Sequence, residues 1–124
     1  MQFLLLVYND DTLLDAVPER EFDSRMKDCF DKADAMQRDG RLLQSQQLES
    51  VRKARSVRIR DGRTQVLDGP FAETKEVLAG FNLIEADSLD EAVRIASEFP
   101  WVQTGCIEVR PVRDMQAVRE RVGA

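Results

Sequence analysis

From Phe3 to Tyr8 the chain runs Phe-Leu-Leu-Leu-Val-Tyr, and it stops at Asn9-Asp10-Asp11. This run constrains the fold most. A strand with one wet face alternates apolar and polar residues; a continuous apolar run suits a central strand covered on both faces. It is too short for a membrane span and has no basic segment before it, so it is not read as a signal peptide or an anchor. The expected location is the cytoplasm. At 124 residues, 43% hydrophobic and 33% charged, the chain suits one globular domain.

Pro18 opens a helical pattern at a position where its missing N–H does no harm. Phe22, Met26, Cys29, Phe30, Ala33 and Met36 follow at spacings of three and four and predict one apolar stripe. Gly40 ends that helix. Arg41 to Leu48 reads as a weaker strand, begun by Leu42 and Leu43. Its Gln44, Gln46 and Gln47 are read as exposed rather than as the lining of a cavity.

The stretch Ser56–Gly69 predicts a hairpin. Val57 and Ile59 alternate with Arg58 and Arg60, and Asp61-Gly62 is a favoured two-residue turn because both central residues need positive φ. Thr64 to Asp68 returns. Val77 to Ala86 is an apolar strand with Gly80 in its middle, a placement that points to close approach of backbone or ligand. Ser88 with Glu91 forms a capping box. Leu89, Ala92, Val93, Ala96 and Phe99 then predict a second amphipathic helix, ended by Pro100. Thr104 to Arg110 is the last strand, with Ile107 and Val109 on one face and Cys106, Glu108 and Arg110 on the other. Asp114 to Arg121 predicts a short charged helix.

Strand, helix, strand, hairpin, strand, helix, strand is the order of a ferredoxin-like α+β domain. It is a mostly antiparallel sheet with two helices on one face. The other face is left open. An uncovered apolar face is unfavourable in water, so homodimerisation, sheet against sheet, is the expected solution. The inter-sheet cleft is then the expected pocket.

Composition removes several function classes. The chain contains no histidine. That excludes Ser-His and Cys-His nucleophile pairs and the usual zinc and iron ligand sets. A carboxylate-only Mg²⁺ or Ca²⁺ site stays open, but no EF-hand loop is present, and no metal or cofactor is expected. A net charge of −5 argues against nucleic-acid binding. Arg52, Lys53, Arg55, Arg58, Arg60 and Arg63 form a local basic cluster, read as charge protecting edge strands. Cys29 and Cys106 form no C-x-x-C pair and read as two reduced thiols, one in a helix and one in a strand.

The segment from Val57 to Val93 and the closing Gly105–Val112 resemble the YCII-related family, and within it the DGPF-domain proteins. Asp68-Gly69-Pro70-Phe71 carries the signature, followed by Glu73, Lys75, Glu76 and Gly80-Phe81. The resemblance covers residues 1–113, leaving 114–124 as a C-terminal helical extension. It implies a dimeric α/β barrel-like association and a bacterial cytosolic protein of undefined biochemistry, with an association to sigma factors. More distant relatives use a His-Asp pair for lyase or dehydrochlorinase chemistry. A chain without histidine cannot inherit that pair.

Within the signature, Gly69 precedes a proline and is pushed toward extended geometry. Pro70 fixes its own φ. Asp68 is expected to set the turn and Phe71 to bury its ring as an anchor. Glu73, Lys75 and Glu76 fall near the entry of the next strand. They either form ion pairs or act as a catalytic set, with a carboxylate as base. Tyr8, Arg58, Asp68, Phe71, Glu108 and Arg110 are the candidate ligand-binding residues. The leading expectation is a small dimeric accessory module that binds a small molecule or a protein partner. The alternative is a cofactor-free lyase or isomerase with a carboxylate base in the inter-sheet cleft.

Overall fold

The run from Phe3 lies in an inner strand. The computed structural model describes residues 1–124. Strand β1 (Gln2–Asp10) leads into a short helix α1 (Asp11–Asp15) and a long helix α2 (Glu19–Arg38). Next come β2 (Leu42–Gln47), the hairpin β3 (Arg55–Arg60) and β4 (Arg63–Asp68), and β5 (Glu76–Glu85). Helix α3 (Leu89–Ser97), β6 (Gly105–Pro111) and helix α4 (Met115–Val122) complete the chain. The main sheet has the order β2-β5-β1-β6 and is antiparallel at every pairing. This is the ferredoxin-like α+β arrangement.

Alternation along β1 sorts the two faces. Phe3, Leu5 and Val7 are buried. They meet Ile84 of β5, Met36 of α2, and Ala92, Ile95 and Ala96 of α3 in one core. Burying a side chain of this size contributes about 1.5–3 kcal/mol. Leu4, Leu6 and Tyr8 point the other way and are half-buried. In register with them lie Leu83 and Phe81 of β5, and Arg110, Glu108 and Cys106 of β6. No helix covers that face.

The helix ends follow the sequence signals, with two departures. Gly40 follows α2 with φ of +82°. Ser88 caps α3 through the Glu91 amide at 3.1 Å, but Glu91 accepts from the amide of Asp87 rather than that of Ser88. Asp10 is itself a cap: its carboxylate accepts from the amides of Thr12 and Leu13 and starts α1, a helix the sequence did not announce.

Three positions expected in apolar stripes are exposed. Phe30 is 55% exposed, and Leu89 and Val93 are 46% and 49% exposed. In α3 the inward side is set by Ala92, Ile95, Ala96 and then Phe99. Leu89 and Val93 share their own flank, four residues apart, so a stripe that includes them is turned away from the sheet.

The hairpin stands apart from the main sheet as a two-stranded sheet. Its Asp61-Gly62 turn has positive φ at both residues, +53° and +73°, as a type I′ turn requires. Gly69 departs from the extended geometry expected before Pro70. Its φ is +89°, a conformation open to glycine at little steric cost.

Candidate functional site

Between α2 and the sheet lies a cavity of about 150 Å3. Its floor is the helix-facing row of the sheet: Val7 and Asn9 from β1, Ser45 and Gln47 from β2, Gly80 and Asn82 from β5. Phe22, Met26 and Cys29 of α2 form the roof, with Leu14 of α1. Trp101 closes one side. Its ring centroid lies 6.0 Å from that of Phe22, tilted by 46°.

The lining is apolar with a polar strip. Asn82 is only 7% exposed although it belongs to an otherwise apolar strand. The Oδ1 atom of Asn9 is buried and has no hydrogen-bond partner. Such an atom is unfavourable by about 1–3 kcal/mol unless something donates to it. Cys29 sits half-buried at the roof. Burial pushes its thiol upward from the ordinary value, partly offset by a hydrogen bond with Trp101. It is a neutral wall group at physiological pH.

A second hollow, about 210 Å3, shares Asn9, Leu48 and Ala79 with the first and extends to Asp11, Glu49 and Ser50. A larger groove of about 510 Å3 runs across α2 and the end of α3. Only two of its ten lining residues are hydrophobic. The cavity of about 150 Å3 has a mixed apolar and polar wall, the composition typical of small-molecule pockets.

None of the site residues suggested by the sequence lines this cavity. Tyr8, Glu108 and Arg110 lie together on the open sheet face. Glu76 is half-buried near Cys106, and its Oε2 has no partner. Partial desolvation raises the Cys106 pKa, and the hydrogen bond with Glu76 and the charges of Glu76 and Glu108 raise it further. Lys75 is 83% exposed and reaches the buried Asp10 carboxylate at 3.5 Å. Glu73 is exposed.

The signature turn is held from the hairpin. Asp68 pairs with Arg55 at 3.1 Å, Ser56 Oγ donates to the Gly69 carbonyl at 2.8 Å, and Arg58 donates to the Phe71 carbonyl at 3.3 Å. Phe71 does not bury its ring: it is 77% exposed. The corner is fixed by hydrogen bonds to backbone, so no aromatic anchor is needed.

Two signals for the cavity were in the sequence. Asn82 is a polar residue in the inward row of a buried strand. Gly80 stands one inward position before it, where the β2 backbone approaches. Gln46 and Gln47 are exposed and also line the cavity mouth, so the two readings of these residues are both partly right.

The chain is 38% identical over 114 residues to an uncharacterised protein of Rhizobium meliloti (strain 1021), spanning 90% of this chain and 92% of that one. Among solved structures it is similar to 5-chloro-2-hydroxyhydroquinone dehydrochlorinase from Burkholderia phenoliruptrix AC1100, in complex with 2,5-dihydroxybenzoquinone. That similarity has a TM-score of 0.46 and 13% identity, over 91% of this chain and 94% of the other. The model of the YCII-related domain matches residues 1–116. By that match and the identity to the Rhizobium protein, the chain belongs to the YCII-related family.

Proposed function

We propose that this protein is a small-molecule-binding module, and that its ligand sits in the cavity between α2 and the sheet. The observation that carries this reading is the unpartnered Asn9 Oδ1, buried in the wall of an otherwise largely apolar hollow. A cavity of about 150 Å3 is about the size that accommodates a benzene-sized molecule. The ligand class is therefore a single ring, or a compact group of that size, with a hydroxyl or N–H that donates to Asn9. Asn82 offers both a donor and an acceptor.

The module acts as a homodimer in this reading. The open sheet face has an apolar centre of Leu4, Leu6, Phe81 and Leu83, with the charged Glu108 and Arg110 at its flank. An apolar centre with a polar rim is the anatomy of an interface.

Trp101 is the only tryptophan and lines the cavity, so it reports on occupancy. The test is a titration with phenol, benzamide and benzoate, followed by Trp101 fluorescence and by amide shifts of Val7, Asn9 and Met26. Saturable changes confined to these residues, lost in Cys29→Phe, are expected. No saturation with any of the three at millimolar concentration would sink the reading.

A cofactor-free lyase or isomerase is the second reading. It is favoured by the unpartnered Glu76 Oε2 on the open face, a carboxylate oxygen free to accept a proton. Turnover of a small molecule held at the open sheet face, abolished by Glu76→Gln, would replace binding by catalysis.

A further inference from the structure

No side chain lining the cavity between α2 and the sheet carries a charge. Its polar groups are amides and a hydroxyl, from Asn9, Asn82, Gln46, Gln47 and Ser45, and burial keeps the Cys29 thiol neutral. Charge begins in the adjoining hollow, at Asp11 and Glu49. Both are carboxylates, so an anion meets no cation in the cavity or in the hollow beside it. A cation fares little better, because Glu49 is already paired with Lys53 at 3.5 Å. Moving an ion from water to an uncharged wall is strongly unfavourable, whereas a neutral polar group needs only a hydrogen bond.

Strand register sets the length of the ligand. Ser45 of β2 lies opposite Asn82 of β5, and Asn82 lies opposite Leu5 of β1. One inward step along, Gln47, Gly80 and Val7 are in line. Asn9 is the next inward residue of β1. The polar strip thus has two ends, Asn82 with Ser45 at one and Asn9 at the other, and Gly80 has no side chain to fill the space between. Along β1 the ends are four residues apart, roughly 13 Å at about 3.3 Å per residue. The two asparagine side chains and two hydrogen bonds of about 2.9 Å take up part of that span. What remains is the length of one ring with a polar group at each end. Phe22 and Trp101 offer aromatic faces to such a ring.

The two ends call for different groups. Asn9 Oδ1 is an acceptor without a partner, so it takes a donor. Asn82 carries both a donor and an acceptor, and its complement is another amide. We infer that the cavity selects an uncharged aromatic carboxamide, its amide paired with Asn82 and a hydroxyl or N–H at the opposite end of the ring donating to Asn9. This rests on the reading of the cavity as a small-molecule site, and it adds the ligand's charge, length and direction. Asn9 and Asn82 are then the residues that determine specificity.

The experiment is calorimetric titration of the full chain at pH 7 with 4-hydroxybenzamide, benzamide, phenol and 4-hydroxybenzoate, repeated on Asn9→Leu and Asn82→Leu. In the wild type, 4-hydroxybenzamide should bind about fivefold or more tighter than benzamide or phenol, each of which lacks one end. The ionised 4-hydroxybenzoate should bind about tenfold or more weaker than 4-hydroxybenzamide. Asn9→Leu should erase the advantage over benzamide, and Asn82→Leu the advantage over phenol. The order of the four probes in the wild type decides the matter even where a variant fails to fold. Equal binding of 4-hydroxybenzoate and 4-hydroxybenzamide overturns the selection for an uncharged ligand. Equal binding of 4-hydroxybenzamide, benzamide and phenol overturns the two-ended assignment and leaves the small-molecule reading standing. Binding of none of the four overturns both.

Discussion

Gly80 of β5 lies so close to β2 that a β-carbon there would sit 2.6 Å from the Gln46 carbonyl oxygen and 3.3 Å from the Gln47 α-carbon. Both contacts are backbone, so no side-chain rotation relieves them. Gly80→Ala would gain about 0.4–1 kcal/mol from a stiffer unfolded chain. Overpacking opposes that gain with about 1–3 kcal/mol. The clash wins, and the variant should be less stable by about 1–2 kcal/mol in urea unfolding. Because β2 also lines the cavity, its displacement should change Trp101 fluorescence in the folded state.

Asp10 and Lys75 form an ion pair that should be energetically lopsided. Asp10 is 5% exposed at its side chain and holds two α1 amides, whereas Lys75 is 83% exposed. Asp10→Ala removes a helix cap and should lose about 1–2 kcal/mol. Lys75→Ala leaves the carboxylate bonded to both amides, so the loss should stay below about 1 kcal/mol, as for other exposed pairs. Equal losses from the two variants would mean that the pair itself, and not the cap, is what matters.

The fold was legible because its signals are local. The apolar run at Phe3, the Asp61-Gly62 turn, the Ser88 cap and Gly40 each act within a few residues, and the order of elements follows. Which side of α3 faces inward was less legible. Leu89 and Val93 obey the same spacing as the buried residues, and only packing against β1 and β6 selects Ile95. The cavity was least legible. Phe22, Gln47, Asn82 and Trp101 are far apart in sequence, and a gap between helix and sheet depends on how the side chains fill it. The charged residues of the signature loop drew attention by their density, yet Glu73 is exposed, Lys75 reaches Asp10, Glu76 lies on the open face, and none of them lines the cavity.

Asn82 should trade stability for binding. It is buried in an apolar strand beside the cavity, and a buried amide without full hydrogen bonding is unfavourable. Asn82→Leu places a similar volume of apolar atoms there. The variant should be neutral to about 1 kcal/mol more stable, raising Tm by about 3–5 °C for a chain of this size. Its affinity for the single-ring probes should fall. A stabilised variant with unchanged probe affinity would remove Asn82 from the binding wall.

Glu76 and Cys106 provide the pH-dependent test. The Cys106 pKa is raised above its ordinary value near 9.0, first by desolvation and then by the hydrogen bond and charge of Glu76. The folded state thus prefers the neutral thiol. That preference stabilises the fold below the ordinary thiol pKa and is lost as pH rises through the raised value. Glu76→Gln removes the carboxylate's charge but not the desolvation, so the pKa should fall part of the way back. Alkylation requires the thiolate. Iodoacetamide should therefore modify exposed Cys106 before half-buried Cys29, and the Cys106 rate at pH 8 should rise in Glu76→Gln, as a lowered thiol pKa implies. The wild-type and variant rates should converge well above the raised pKa, where both thiols are ionised. A rate that Glu76→Gln leaves unchanged at pH 8 would mean that the carboxylate does not reach Cys106 in solution.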